Sequence, residues 1–350
     1  MSGAPAPNVS ARALLVAGLA IVLSATACQP LGEGEGDGDA GDASVAASGP
    51  AASDGAAAGG GQLVIATGGT GGVYYPLGGG LANVISDNVT GYTATISETN
   101  ASVDNMLLIA DGGADIAFSL GDTAADAVNG AGADFEGNPV DACALARIYD
   151  NFTQVVTSAD SGIASIEDLR DKRVSLGSPG SGTEVIALRM LEAAGIDPDG
   201  DIQRQQLGID ETVAALRDGT IDAGFWSGGL PTGALVEYAT SGDLVLIPNG
   251  ELASPMAEQY GDVYIEDVIP AGSYEGQDED VSTVVVPNVL VVNSSMPEDL
   301  QQDLTAVIFD HKDELVSVHD AANAIELELA QDVGFMEICP GSQAYYDEQG

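Results

Sequence analysis

Along positions 62–350, short segments whose apolar residues have the spacing of β-strands alternate with segments whose apolar residues have the spacing of amphipathic helices. The predicted strands are Leu63–Thr67, Tyr92–Ser97, Ile116–Ser119, Leu145–Tyr149, Thr153–Thr157, Arg173–Leu176, Asp201–Gln205, Asp222–Trp226, Leu244–Ile247, Val263–Glu266 and Thr283–Val292. The predicted helices are Tyr75–Asn88, Ser102–Asp111, Thr123–Asn129, Ser165–Leu169, Thr183–Ala194, Glu211–Asp218, Pro231–Thr240, Ala253–Tyr260, Pro297–His311 and Asp320–Leu329. This alternation predicts an α/β fold with mainly parallel sheets flanked by helices.

The order of these elements predicts two lobes. Lobe I comprises residues 62–150 and 248–350, and lobe II comprises residues 151–247. The two neighbouring strands between residues 145 and 157 would carry the chain from one lobe to the other. Pro287 interrupts the long apolar stretch 283–292, which predicts a bulge or a break into two short strands there.

The N-terminal residues are predicted to form a targeting signal followed by a tether. Arg12 precedes an apolar run and a small-residue site ending at Cys28, so residues 1–28 are interpreted as a lipoprotein-type signal peptide with Cys28 as the lipidated residue. Ala25 stands where such signals usually carry Leu, which leaves ordinary cleavage and a soluble product as the alternative. Residues 29–61 are rich in Gly, Ala and acids, which predicts a flexible linker.

The charge of the chain limits which partners it can bind, and its cysteines indicate the compartment in which it works. The chain has 54 acidic residues against 9 Lys and Arg, a formal net charge of −45 that excludes nucleic acid as a partner. Cleavage before Cys28 leaves Cys143 and Cys339. An even pair in an exported protein favours a disulfide, with two separate buried thiols as the alternative.

Three glycine-rich turns each lie between a predicted strand and a predicted helix: Thr67–Pro76, Gly177–Thr183 and Trp226–Pro231. Glycines permit close approach of the backbone, and helix starts offer free N–H groups and a partial positive charge. Open α/β sheets bind ligands at this end of their strands. The hydroxyls of Ser181 and Thr183 would add donors, or Thr183 would simply cap its helix.

A fourth segment, 98–105, offers neutral donors from Asn100, Ser102 and Asn105, although Ser102 alternatively caps a helix. Nucleotide motifs are incomplete. A dinucleotide fingerprint lacks its third glycine, because Tyr74 stands there, and a P-loop lacks the lysine after Gly182.

The sequence predicts no enzyme, cofactor or metal site. His311 and His319 lie away from every glycine-rich turn, and no His/Cys/acid spacing indicates zinc. Ser227 stands one place late for a nucleophile elbow.

Taken together, these motifs resemble the TAXI family, the extracytoplasmic receptors of tripartite ATP-independent periplasmic (TRAP) transporters. The matching segments are Gly68–Pro76, Asp160–Leu169, Lys172–Val174 together with Gly177–Thr183, Ala215–Ala223 and Val268–Gln277. The resemblance implies a two-lobed type II periplasmic-binding-protein fold that closes on a small anion, with glutamate-like or other carboxylate ligands. Carried over, it implies ligand contacts from Gly69, Thr70, Gly71, Val73, Tyr74, Ser178, Gly180, Ser181, Gly182, Thr183, Gly228, Gly229 and Pro231. Where the family often has Gly-Gly-Ser, this chain has Asn100-Ala101-Ser102.

The resemblance further implies delivery of the solute to an integral membrane TRAP permease driven by an ion gradient. With the signal, it predicts a protein held at the outer face of the cell membrane by its lipidated N-terminus. Two alternatives stay open: a sensor subunit docking on a membrane kinase, and a secreted hydrolase.

Overall fold

A computed structural model describes residues 60–241 and 244–350. The predicted signal peptide, Cys28 and most of the predicted linker lie outside these ranges. The described strands are β1 Gly61–Ala66, β2 Tyr92–Ser97, β3 Ile116–Leu120, β4 Ala142–Ser158, β5 Arg173–Ser175, β6 Gln203–Gln205, β7 Ala223–Gly228, β8 Leu244–Ile247, β9 Ile265–Ile269 and β10 Val281–Asn293. The α-helices are α1 Tyr74–Asn88, α2 Ser102–Asp111, α3 Gly121–Asn129, α4 Gly132–Phe135, α5 Gly182–Ala193, α6 Ile209–Arg217, α7 Gly233–Ala239, α8 Ala253–Tyr260, α9 Glu298–Asp310, α10 Lys312–Val318 and α11 Pro340–Gln349. Short 3₁₀ helices span Ile166–Leu169, Gly250–Leu252 and Asp320–Ala324.

All ten strands belong to one mixed sheet, in the order β2-β1-β3-β10-β4-β7-β5-β6, with β8 paired to β4 and β9 to β10. Parallel pairing joins β2, β1 and β3 at one end and β7, β5 and β6 at the other. The two central strands, β10 and β4, run antiparallel to each other and to their neighbours. The α/β prediction is therefore confirmed, with antiparallel strands at the centre of the sheet.

The long strands β4 and β10 pass through the whole centre of the sheet. The two strands predicted between residues 145 and 157 are one continuous strand of 17 residues, β4. The chain also stays extended through Pro287, which pairs with Asp150, and the register shifts after Asn288 and after Leu290. Proline has no N–H to donate to the ladder, so an irregularity beside it is expected.

Side chains pack in two groups on either side of this centre. The first half surrounds β1, β2 and β3 and buries residues such as Ile65 and Phe118. The second half surrounds β5, β6 and β7 and buries residues such as Met190 and Phe225. Each group is extended by a second apolar cluster, one around α2 and α3 and the other around α6 and α7.

The segment after β8 packs differently from the predicted division of the chain. Leu252, Met256 and Tyr264 are buried with the second half, although the predicted lobe I was drawn from residue 248 onward. The pairing of β9 with the Val281–Val285 portion of β10 holds this segment there. Only along β10 does the chain return to the first half, where Val289–Val292 pair with β3.

The predicted helix Asp320–Leu329 is wrong beyond its first turn. Only residues 320–324 form a 3₁₀ helix, and turns follow. The carbonyl of Ala330 accepts a hydrogen bond from the backbone of Arg147 in β4 at 2.9 Å, so the segment is held by the sheet. Helices α10 and α11 were not predicted from the sequence.

Candidate functional site

A cavity of about 290 Å³ lies between the two halves, at the carboxyl ends of the parallel strands. The starts of α1, α2, α5 and α6 all border it, two helices from each half. Ten predicted site residues line the cavity: Gly69, Val73, Tyr74, Asn100, Ser102, Ser178, Ser181, Gly182, Thr183 and Gly228. Four helix N-termini at one cavity create a region of positive potential built from backbone N–H groups.

The start of α5 shows how the sequence builds this surface. The Ser181 hydroxyl caps the helix by accepting the N–H of Glu184 at 3.1 Å. The Thr183 hydroxyl does not cap; it accepts the N–H of Ser227 in β7 at 3.2 Å and fixes the helix start to the sheet. The N–H groups of the first helical turn have no helical carbonyl to bind. Those of Gly182 and Thr183 therefore remain for other partners at the cavity.

Three buried side chains present unpaired polar atoms along the cavity wall. Asn151 of β4 is fully buried, and neither its amide oxygen nor its amide nitrogen has a hydrogen-bond partner of normal geometry, although the side chain interacts with the nearby Tyr74 hydroxyl. The hydroxyls of Tyr149 and Ser227 are also buried without a partner. Each such group costs about 1–3 kcal/mol when it is left unsatisfied. Three of them on one wall indicate a surface built to bind a polar molecule.

Tyr74 forms part of the same wall. Its ring stacks on Phe118 at 5.0 Å between centroids, and its hydroxyl accepts a hydrogen bond from Asn288 at 2.6 Å. Burial raises the pKa of Tyr74 well above its usual value, so the phenol stays neutral and keeps a proton to donate. Ser102 lies beside it, and its hydroxyl accepts the backbone N–H of Leu120 at 3.1 Å. Ser102 is therefore not the cap of α2.

Six predicted site residues lie outside the cavity lining, and three of them bind the opposite half instead. The N–H of Gly71 donates to the Asp210 carboxylate at 3.0 Å, and the Thr70 hydroxyl donates to the same oxygen at 3.4 Å. Gly180 offers its carbonyl to the N–H of Asp104 at 3.2 Å. These residues join the two halves beside the cavity.

The other three have structural environments. The Asn105 amide donates to the carbonyls of Thr67 at 2.7 Å and Phe118 at 2.8 Å, and its oxygen accepts from Thr99, so it braces the glycine loop. Gly229 packs against the ring of Tyr149. Pro231 follows a cis peptide bond and lines a separate surface groove.

Sequence reasoning missed several residues that border the cavity, among them Glu98, Tyr149, Asn151, Asp210, Glu211 and Trp226. Asn151 lies inside what the sequence presents as a gap between two strands. Asp210 and Glu211 stand in the first turn of a helix, where acids are ordinary. Glu98 and Trp226 begin segments that the sequence did single out, but no pattern distinguished the other four from structural residues.

The cavity has an unusual balance of charge. Three carboxylates border it, those of Glu98, Asp210 and Glu211, and its described lining contains no Lys, Arg or His. Arg147 is paired with Asp150 at 2.7 Å and with Asp332 at 2.8 Å. Arg189 is paired with Asp126 at 2.5 Å, away from the cavity. Positive potential at the site therefore comes from helix N-termini alone.

The position of Ala101 departs from the backbone that alanine prefers. Its φ of 81° and ψ of −140° place it in a region that favours glycine, directly before α2. Glycine would adopt this backbone conformation without strain, whereas alanine is strained in it. The turn directs the start of α2 toward the cavity.

Both histidines have local roles. His311 Nδ1 lies 2.7 Å from Glu314, and His319 Nδ1 accepts the N–H of Ala321 at 3.1 Å. Among the described residues, no group of three or more His, Cys, Asp or Glu is arranged to hold a metal ion. Within the same ranges, no helix combines the length and apolar character needed to cross a membrane.

Replacement of Gly182 by alanine is expected to lower ligand affinity about tenfold, because it opposes approach of the two halves. A Cβ at this position would lie 2.5 Å from the Leu120 side chain and 2.7 Å from the Ser102 hydroxyl, both of the first half. Calorimetric titration measures the effect. Gly79→Ala is the control, because a Cβ there meets nothing within 4 Å. Equal affinities of the two variants would contradict the proximity inferred here.

The protein has a type II periplasmic-binding-protein fold. One mixed sheet runs through the molecule, its central strands join two packed halves, and a polar cavity lies between these halves. The chain belongs to the NMT1-like family, whose model matches residues 65–350. Solved structures support the fold. A binding protein component of an ABC phosphonate transporter from Pseudomonas aeruginosa is similar with a TM-score of 0.53 and 12% identity, over 76% of this chain and 80% of that one. PhnD1 from Prochlorococcus marinus, in complex with methylphosphonate, is similar with a TM-score of 0.52 and 13% identity, over 76% and 91%.

Proposed function

We propose that this protein is an extracytoplasmic solute-binding receptor that captures a small carboxylate and delivers it to an ion-gradient-driven TRAP permease. The observation that carries the proposal is the wall of unpaired buried polar atoms from Tyr149, Asn151 and Ser227, facing a cavity bordered by four helix N-termini. Such a wall binds by hydrogen bonds and fixed dipoles and needs no reactive side chain. Binding without turnover follows from it.

The two halves would act as the two lobes of this receptor, with β4 and β10 as the segments that bend between them. Contacts such as Gly71 with Asp210 and Gly180 with Asp104 join the halves beside the cavity. Movement about the central strands would break these contacts and admit the solute. This is hinge closure around a ligand, a common motion of two-lobed binding proteins.

The charge of the lining favours certain carboxylates over others. Glu98, Asp210 and Glu211 repel a second negative charge, and no cation of the described lining compensates for them. A carboxylate at the helix N-termini is stabilised by N–H donors at contact distance. A ligand that also carries an ammonium group gains from the same acids. Amino acids such as glutamate or glutamine are therefore favoured over dicarboxylates such as succinate.

Thermal unfolding with a panel of solutes tests the proposal. A ligand present at about 100 times its Kd stabilises the folded state by about 2.7 kcal/mol, which corresponds to a Tm increase of about 5 °C for a chain of this size. L-glutamate and L-glutamine are expected to raise Tm more than succinate, and mass spectrometry is expected to recover each ligand unchanged. No shift with any amino acid or dicarboxylate, or conversion of the ligand, would refute the proposal.

Its attachment to the membrane is part of the same proposal. Cleavage before Cys28 and lipidation of its thiol would hold the receptor at the outer face of the cell membrane, with residues 29–61 as the tether. The TRAP permease as partner is supported by the resemblance to the TAXI family. Solute uptake into membrane vesicles that depends on an ion gradient and not on ATP would test that partner.

A further inference from the structure

The glycine loop before α1, residues 68–73, is hydrogen-bonded at Gly71 to the opposite half of the molecule. The Asp210 carboxylate, in the first turn of α6, accepts the N–H of Gly71 at 3.0 Å and the Thr70 hydroxyl at 3.4 Å. The carbonyl of Gly71 in turn accepts the N–H of Ala234, at the start of α7, at 3.3 Å. One residue of the first half is thus bound on both sides of its backbone by two helix starts of the second half.

Only glycine allows this contact. A Cβ at position 71 would collide with the Asp210 carboxylate, and one at position 72 would lie 2.8 Å from the Trp226 ring. The N–H that sequence reasoning assigned to a ligand anion is therefore occupied by a carboxylate of the chain itself. A charge-assisted hydrogen bond to a backbone N–H is among the stronger ones available to a surface residue.

From this geometry we propose that Asp210 is an interlobe latch, a positioning residue that holds the halves together over the bound solute. The proposal rests on the proposed solute-binding function and adds the group that retains the solute. Closure brings Asp210 to Gly71, 139 positions away in the sequence, and opening separates them. Loss of the latch should speed release of the solute and leave its entry nearly unchanged, because the solute enters through the open form, in which this contact is already broken.

The matched variants are Asp210→Ala and Glu211→Gln. Both remove one negative charge from the same turn of α6, but the Glu211 carboxylate bonds to the N–H of Gly208 in its own half, at 3.2 Å. Asp210→Asn keeps an oxygen that can accept from Gly71 and should fall between wild type and Asp210→Ala. Trp226, the only tryptophan of the chain, borders the cavity and reports closure by its fluorescence.

Two measurements on the full-length folded chain test the latch. In the absence of solute, hydrogen exchange of the peptide that contains Gly71 should be faster in Asp210→Ala than in wild type and Glu211→Gln, so the comparison does not depend on how either acid affects binding. Stopped-flow fluorescence with L-glutamate should show release about tenfold faster in Asp210→Ala, with entry changed less than about twofold.

Equal exchange of the Gly71 peptide in wild type and Asp210→Ala would overturn the latch. So would a loss of affinity caused by slower entry with unchanged exchange, since Asp210 would then be a ligand contact only. Failure of wild type to bind any amino acid or dicarboxylate would refute the proposed function instead. Hydrogen exchange of the Gly71 peptide is measured without a bound solute, so it tests the latch even if no solute binds. The two failures are therefore distinguishable.

Discussion

Asn151→Leu is expected to lower solute affinity by about 10- to 100-fold while leaving the free energy of unfolding unchanged or raising it by about 1 kcal/mol. Asn151 is fully buried at the cavity wall, and both of its amide atoms lack a hydrogen-bond partner of normal geometry in the structure. Leucine has the same branched shape, its extra volume can extend into the adjoining cavity, and it removes the cost of these unsatisfied groups. It also removes the hydrogen bonds that the amide would make to a polar solute.

Titration followed by Trp226 fluorescence measures the affinity, and urea unfolding measures the stability. Asn105→Leu is the matched control, because Asn105 is equally buried but bonds to Thr67, Phe118 and Thr99. That variant should lose about 3 kcal/mol of stability, because it leaves buried carbonyls unpaired. If Asn151→Leu were destabilised to the same degree and bound solute normally, Asn151 would be a structural residue.

Removal of the bond between Cys143 and Cys339 is expected to lower the free energy of unfolding by about 5 kcal/mol. The structure joins these two buried residues by a disulfide across a sequence separation of 196 residues. A cross-link that closes so long a loop restricts the unfolded chain strongly. The double variant Cys143→Ala, Cys339→Ala, in the full chain, measures the effect by urea unfolding.

The region that depends on this link is the C-terminal segment. Beside the cysteines, Ile338 bridges to Ala144 of β4, and the Tyr346 hydroxyl of α11 donates to the Leu145 carbonyl at 2.7 Å. Reductant should destabilise the wild type and leave the double variant unaffected. The contrary result would be that both Cys143 and Cys339 can be alkylated in the unfolded protein without reduction, and that reductant has no effect on stability. The two cysteines would then be separate thiols.

The hydrophobic period of the sequence determined the fold class, and the glycine-rich turns indicated which loops border the cavity. Strand Tyr92–Ser97 and helix α2 were predicted with the bounds that the structure gives, because the residues that form each element are neighbours in the chain. The glycine-rich turns were predicted to meet at one edge of the sheet, because parallel strands end together. The loops around Gly69 and Gly182 do border one cavity.

Tertiary structure alone decided the role of each side chain in that cavity. Asn105 and Asn151 are chemically identical and equally buried, yet the first bonds to Ala66, Thr67, Phe118 and Thr99, whereas the second has no hydrogen-bond partner of normal geometry. Asp210 reaches Gly71 only because the two halves pack against each other. Local sequence specifies backbone conformation through short-range sterics and periodic burial, whereas the partner of a polar atom depends on residues that folding brings together from distant parts of the chain.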